Sequence, residues 1–133
     1  MCIRDSYRCV VEEAIIDVEN IILKSESIHP ATQDEPVKVV GSRSHLNEET
    51  KAFISGIKKE VSIVSKGSSL KFCVIAEGGA HLYPRFAPTM EWDTAAGHAI
   101  CAAVGVEVID QETQQPLKYN KENLLNPHFV VAS

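Results

Sequence analysis

From about residue 37 onward, short apolar runs alternate with stretches whose apolar positions recur at helical spacing. Residues 37–40, 62–65, 80–84, 106–109 and 129–132 read as strands. Asn47-Glu-Glu-Thr opens a helix with a capping residue and two acids in its first turn, and Ala52, Phe53, Ile57 and Val61 supply its apolar face. A Gly67-Ser68-Ser69 turn enters a second helix, with Ser68 or Ser69 as its cap and Gly78-Gly79 as its stop. A third helix begins at Thr94, capped by Asp93 and closed by Gly105. Its body is small-sided: Ala95, Ala96, Gly97, Ala99, Ala102 and Ala103. Glycine inside a helix costs roughly 1 kcal/mol against alanine, so Gly97 marks a close packing contact. Trp92, just before the cap, is expected to pin the loop, and residues 117–119 to pair back across the polar turn that follows the fourth strand. Strands alternating with helices give an α/β domain with a largely parallel or mixed sheet.

The first 27 residues are less legible. Val11, Ile15, Val18 and Ile22 fall at helical spacing, yet Ala14-Ile-Ile and Ile21-Ile-Leu favour a strand or hairpin about equally. No chemistry is apparent there. The opening Met-Cys-Ile-Arg-Asp-Ser does not look like a natural domain start, which leaves open an artefact of assembly or translation. The expected organisation is therefore an uninterpreted segment, 1–27, and an α/β domain, 28–133, whose first residues form a loop.

Composition narrows the function classes. The 133 residues suffice for one modest domain, and 44% apolar with 23% charged residues is ordinary for a globular chain. A net charge of −5 disfavours binding to a nucleic-acid polymer. The apolar runs fall far short of the ~20 residues of a transmembrane helix, and no cleavable signal peptide is evident at the start. Cys2, Cys9, Cys73 and Cys101 lack CxxC spacing, and Cys73 and Cys101 sit in apolar stretches. They read as buried thiols in a reducing cytoplasm.

Candidate chemistry collects at the ends of elements. Arg43 and His45 follow the first strand of the α/β domain, Lys66 and Lys71 flank the Gly-Ser-Ser turn, and Arg85 follows Tyr83-Pro84. In α/β sheets ligands bind beyond the carboxyl ends of strands. Backbone N–H groups of the turn, a lysine charge and a bidentate arginine suit a phosphate. Asp93 puts a carboxylate at a rigid helix start, where a metal ligand or catalytic acid belongs. Each residue has a plainer role too: Asp93 as cap, Ser69 as cap, Lys71 as a solvated helix residue, His45 as an exposed loop histidine. His29, His81, His98 and His128 have no metal-ligand spacing and read as structural, and Cys101 has no partner to activate it.

Trp-Asp-Thr-Ala-Ala-Gly resembles the C-terminal signature of the lithium-sensitive, magnesium-dependent phosphatases, the superfamily of inositol monophosphatase and fructose-1,6-bisphosphatase. Gly-Ser-Arg-Ser-His, Gly-Ser-Ser-Leu-Lys-Phe-Cys, Ala-Glu-Gly, Leu-Tyr-Pro-Arg-Phe and Leu-Asn-Pro-x-Phe occur in an order similar to that of the 3′(2′),5′-bisphosphate nucleotidases of the CysQ type. The resemblance runs from about Val37 to the end. It implies that Asp93 binds Mg2+ and touches substrate. It also implies that Ser42, His45, Gly67, Lys71 and Arg85 hold the nucleotide. The implied reaction removes the 3′-phosphate of adenosine 3′,5′-bisphosphate, a by-product of sulfate assimilation, to give AMP. Inositol-phosphate hydrolysis within the same superfamily, or a non-catalytic nucleotide- or phosphate-binding module, are the alternatives. One departure is large: the family's Glu-Glu and Asp-Pro-Ile/Leu-Asp-Gly-Thr metal segments are not found, and no Asp-Pro dipeptide exists in the chain. The expectation is therefore a C-terminal α/β/α domain lacking the first half of its fold. The parent would hold two or more Mg2+ ions, whereas this polypeptide, with no catalytic residue beyond the metal ligand, would be inactive alone.

Overall fold

The computed structural model describes residues 5–10, 17–32, 36–41 and 46–133. At its start, β1 (Tyr7–Arg8) pairs antiparallel with β2 (Glu26–Ser27), and α1 (Val18–Lys24) lies between them in sequence. Of the two readings open in the sequence, the helical one holds for Val18 and Ile22, and no strand or hairpin forms at Ile21-Ile-Leu; the two short strands lie outside both runs. Asp17 starts α1 by accepting the Glu19 N–H at 3.1 Å, and the Ile21-Ile-Leu run is helical. Val11 and Ile15 lie outside the described residues.

Five further strands form one mixed sheet: β3 (Val37–Gly41), β4 (Val61–Ser65), β5 (Leu82–Arg85), β6 (Glu107–Asp110) and β7 (Phe129–Ala132). Their order is β4-β3-β5-β7-β6. β3 runs parallel to β4 and β5, while β7 runs antiparallel to β5 and β6. Val39, Val40 and the Phe129-Val-Val run are buried, as interior strands covered on both faces require.

The connections are helical: α2 (Glu48–Ser55) joins β3 to β4, α3 (Leu70–Ala76) joins β4 to β5, and α4 (Glu91–Ala103) joins β5 to β6. β4 lies on one side of β3 and β5 on the other. Right-handed crossovers therefore place α2 and α3 on opposite faces, the α/β/α layering that the sequence predicts. The chain reverses direction at β3, so the carboxyl ends of β3 and β5 flank a topological switch point, the usual ligand crevice of such sheets. Phe72, Tyr83 and Phe129 fill the core as an aromatic cluster, with ring centroids 5.3 to 5.9 Å apart. Ile75, Cys101, Val108 and Val131 close around it.

Several expectations are corrected. The apolar stripe of α2 does not reach Val61: Gly56 closes the helix onto the carbonyls of Ala52 and Phe53, and Val61 enters β4. α4 starts at Glu91 rather than Thr94, so Asp93 is its third residue and Met90 its cap position. Trp92 pins no loop; it stands in the first turn of α4, 65% exposed. Other expectations stand. Leu117 donates to the Val108 carbonyl at 2.9 Å, so the segment after the polar turn does pair back. Gly105, at φ +79°, ends α4 with the Val106 N–H on the Cys101 carbonyl at 2.9 Å. No helix among the described residues is long and apolar enough to cross a membrane.

Candidate functional site

Three elements deliver the candidate residues to one place. α3 carries Lys71 in its first turn, β5 ends on Arg85, and the first turn of α4 carries Asp93. All three line a cleft of about 490 Å³, with Ser68, Ser69 and Trp92 around them. A smaller recess of about 80 Å³, bordered by Gly41, Asn47 and Thr50, shares Lys71, Tyr83 and Arg85 with it.

Lys71 is no solvated helix lysine: only 6% of it is exposed. Its Nζ donates to the Ser68 carbonyl at 3.1 Å and lies 5.5 Å from the centre of the Tyr83 ring. Burial, and then the nearby Arg85 charge, hold its pKa below the ordinary lysine range. Arg85 spends one Nη2–H on the Pro88 carbonyl at 3.3 Å, while its buried Nε has no partner among the described residues. A buried donor without a partner is costly to maintain, and an anion oxygen would satisfy it.

Asp93 turns one carboxylate oxygen back to the Met90 N–H at 2.8 Å. It thereby serves an N–H at the helix start from the third position, as the acid of a capping box does. Its other oxygen accepts no hydrogen bond from the described residues. It is the only carboxylate among those residues to line the cleft. Hard oxygen donors suit Mg2+, so Asp93 fits one ligand position. It fits no more than one, because no group of three or more His, Cys, Asp or Glu that could hold a metal occurs among the described residues.

The remaining predicted residues divide. Gly67 is exposed and does not line the cleft. Ser69 stands at the cap position of α3, but its hydroxyl makes no capping bond, and Ser68 sits at φ +53° with its carbonyl on Lys71. Ser42, Arg43 and His45 lie outside the described residues. His81 is structural, as the sequence suggests: Nδ1 accepts the Lys38 N–H at 2.9 Å and Nε2 donates to the Thr32 carbonyl at 3.0 Å. Cys101 is fully buried and its thiol is pushed up to about 12 by burial, an inert group; Cys73 is half-buried.

A sequence model described as the inositol monophosphatase family matches residues 8–132. The chain belongs to the inositol monophosphatase family. It is 52% identical over 98 residues to the 3′(2′),5′-bisphosphate nucleotidase CysQ of Escherichia coli K12, an alignment covering 73% of this chain and 39% of that protein. The crystal structure of CysQ from Bacteroides thetaiotaomicron, described as a bacterial member of the same family, superposes with a TM-score of 0.81 at 47% identity. The match covers 96% of this chain and 49% of that one. Inositol monophosphatase II from Staphylococcus aureus shares the fold at 14% identity and a TM-score of 0.60, over 82% of this chain and 41% of that one. This member of the family thus spans less than half the length of the CysQ proteins it resembles.

Sequence reasoning missed the residues that fix the start of α4. Glu91 and Asn126 are buried polar groups, and both hold that first turn. In sequence, Asn126-Pro127 shows only a break in regular structure before the last strand. Nothing near Glu91 in sequence points to its partners, which come from the segment before β7.

Proposed function

We propose that this chain is the C-terminal part of a magnesium-dependent 3′(2′),5′-bisphosphate nucleotidase. Its reaction converts adenosine 3′,5′-bisphosphate to AMP and phosphate. The observation that carries this reading is the convergence of Asp93, Lys71 and Arg85 on one cleft beside the switch point of the sheet. Similarity to proteins named 3′(2′),5′-bisphosphate nucleotidase supports the choice of substrate. A bisphosphate nucleotide brings one phosphate to be cleaved and one to be held. Arg85 can bind phosphate oxygens in a fork, and its unpartnered Nε is ready to donate. The buried Lys71 ammonium is poorly hydrated, so it loses little water when a phosphate arrives. Ser42 and His45 are further proposed nucleotide contacts, and Gly67, outside the cleft lining but next to the lining residue Ser68, is a proposed contact from the rim.

Asp93 would hold one of two or more Mg2+ ions, with the other ligands supplied by residues beyond this chain in an N-terminal domain of the same protein. Bound magnesium supplies Lewis-acid polarisation of the phosphoryl group and a more acidic water. This chain's own contribution is to bind and orient: Lys71 and Arg85 fix the phosphates, in a cleft carried by the α/β unit proposed to span 28–133. We place the enzyme in the cytoplasm, in sulfur metabolism. The family description also covers inositol phosphates, which makes an inositol-phosphate phosphatase the second reading.

The test uses the protein encoded by the full open reading frame. Asp93→Asn keeps an oxygen for the Met90 N–H, and the melting temperature should stay within a few degrees. The amide is a poor ligand for a hard cation, so kcat/KM on adenosine 3′,5′-bisphosphate should fall at least about 100-fold, as expected for losing a few kcal/mol of transition-state stabilisation. Near-normal turnover at saturating magnesium would leave Asp93 with a capping role alone. A kcat/KM for inositol monophosphate above that for the bisphosphate would favour the second reading.

A further inference from the structure

The turn that presents Asp93 has no cap side chain of its own. Met90 occupies the cap position, and a thioether is no substitute for Ser, Thr, Asp or Asn. A segment far along the chain takes that role. The Glu91 N–H, an orphan at the helix start, donates to the Leu124 carbonyl at 3.0 Å. The Glu91 carboxylate accepts the Asn120 N–H at 2.6 Å, the Lys121 N–H at 3.2 Å and the Lys121 ammonium. Asn126 Nδ2 faces the Met90 carbonyl at 2.9 Å, Thr94 Oγ1 at 3.1 Å and Thr89 Oγ1 at 3.2 Å. Its backbone N–H donates to the Thr89 carbonyl at 2.8 Å.

Both side chains are buried, Glu91 at 8% and Asn126 at 5% exposure. A buried carboxylate is costly unless it is paired and hydrogen-bonded, and Glu91 is both. Two acids in one turn therefore take opposite roles. Glu91 faces inward to residues 120–121, and Asp93 lines the cleft with one oxygen that accepts no hydrogen bond from the described residues. The bonds of Glu91 and Asn126 straddle Asp93, gripping residues 89–91 before it and Thr94 after it.

We propose that Glu91 and Asn126 are positioning residues for Asp93. They clamp the first turn of α4 to residues 120–126, so that the Asp93 carboxylate meets a cation without reorganisation. This rests on the reading of Asp93 as a magnesium ligand. Groups that orient a metal ligand typically matter to metal affinity by 10- to 100-fold when removed.

The experiment titrates Mn2+, as a probe for Mg2+, into the full-length protein by calorimetry, without substrate and well below the melting temperature. Glu91→Gln and Asn126→Asp are isosteric, and each should weaken Mn2+ binding about 10-fold. The magnesium concentration for half-maximal kcat/KM should rise in the same ratio, and KM at saturating magnesium should hold. Lys121→Met spares both backbone contacts to Glu91, changes a side chain at the surface, and should give a smaller loss in the same direction. A role in stability alone would lower the melting temperature of these variants and leave Mn2+ affinity at the wild-type value, which overturns the proposal. Asp93→Asn separates the two readings. If it leaves Mn2+ binding intact, the ligand reading fails and the positioning role fails with it. If it weakens binding while Glu91→Gln and Asn126→Asp do not, only the positioning role fails.

Discussion

Lys71 carries two expectations that pull in different directions. Its pKa is lowered by burial and by Arg85, so the folded chain releases this proton below the ordinary lysine value of 10.5. Between the lowered value and 10.5 this site holds more protons in the unfolded chain, so the contribution of Lys71 to stability rises with pH across that window. Below the window the folded state bears the cost of the buried ammonium in full. Lys71→Met should remove that contribution, read as the difference between wild type and variant in urea titrations from neutral pH up to the ordinary lysine value, because the thiols of Cys73 and Cys101, both raised by burial, act in the opposite sense in both proteins. At neutral pH the variant should melt at the same or a higher temperature, since the apolar stem is kept. Function should move the other way. A charge-assisted hydrogen bond contributes about 1.5–3 kcal/mol, or roughly 10- to 150-fold. In the full-length protein kcat/KM for adenosine 3′,5′-bisphosphate should fall by that factor, and inositol monophosphate, with no second phosphate to lose, should suffer much less. Both substrates belong at one ionic strength, because salt screens such charges. Equal losses on both would assign Lys71 to the scissile phosphate.

At the scale of elements, the contact between α3 and α4 is set by Gly97. A Cβ built there would lie 2.5 Å from the Phe72 ring, and Phe72 is locked in the aromatic core. Alanine would gain roughly 1 kcal/mol of helix propensity, against about 1–3 kcal/mol or more for forcing an extra carbon into a filled core. Gly97→Ala is therefore expected to be destabilising on balance, read as a lower urea midpoint with an unchanged slope. This contact was legible because a glycine amid alanines breaks a local rule. The Asn47 cap, with Thr50 N–H on its Oδ1 at 3.1 Å, and the Gly105 stop were legible for the same reason: their partners lie within one turn. The start of α4 was not. Asp93 looks like an ideal cap, whereas the true start depends on Leu124 and Asn126, which only the folded chain brings near. The end of α2 was misread because Ile57 and Val61 continue a helical spacing by coincidence. In the site, the strand-end rule was enough to place Lys71, Arg85 and Asp93 on one crevice. It said nothing of Gly67 falling outside the cleft lining or of Glu91 and Asn126, whose partners are tertiary.

At the scale of the whole molecule, the cleft is rich in one kind of chemistry and poor in the other. Lys71 and Arg85 place two cationic side chains on the cleft, the chemistry the proposed anionic substrate would need, within a chain of net charge −5. For a metal, the described residues lining the cleft offer only the carboxylate of Asp93. Magnesium demands near-octahedral oxygen coordination and dehydrates reluctantly, so one carboxylate does not assemble a centre able to activate water. The 133-residue chain aligns with only 39% of the Escherichia coli relative, which leaves room elsewhere in a longer protein for the other ligands. The 133-residue polypeptide, once circular dichroism shows that it is folded, is therefore expected to release no phosphate from adenosine 3′,5′-bisphosphate at millimolar magnesium. Turnover on the order of 1–10³ per second would contradict this, because it would mean that a complete centre exists within the chain. Holding the anion and holding the cation should also separate in this polypeptide. Calorimetry with the bisphosphate should show weaker binding for Lys71→Met, whose role is local to the chain. Asp93→Asn should bind as the parent does or slightly better, since with no metal to share it the carboxylate only repels the phosphates.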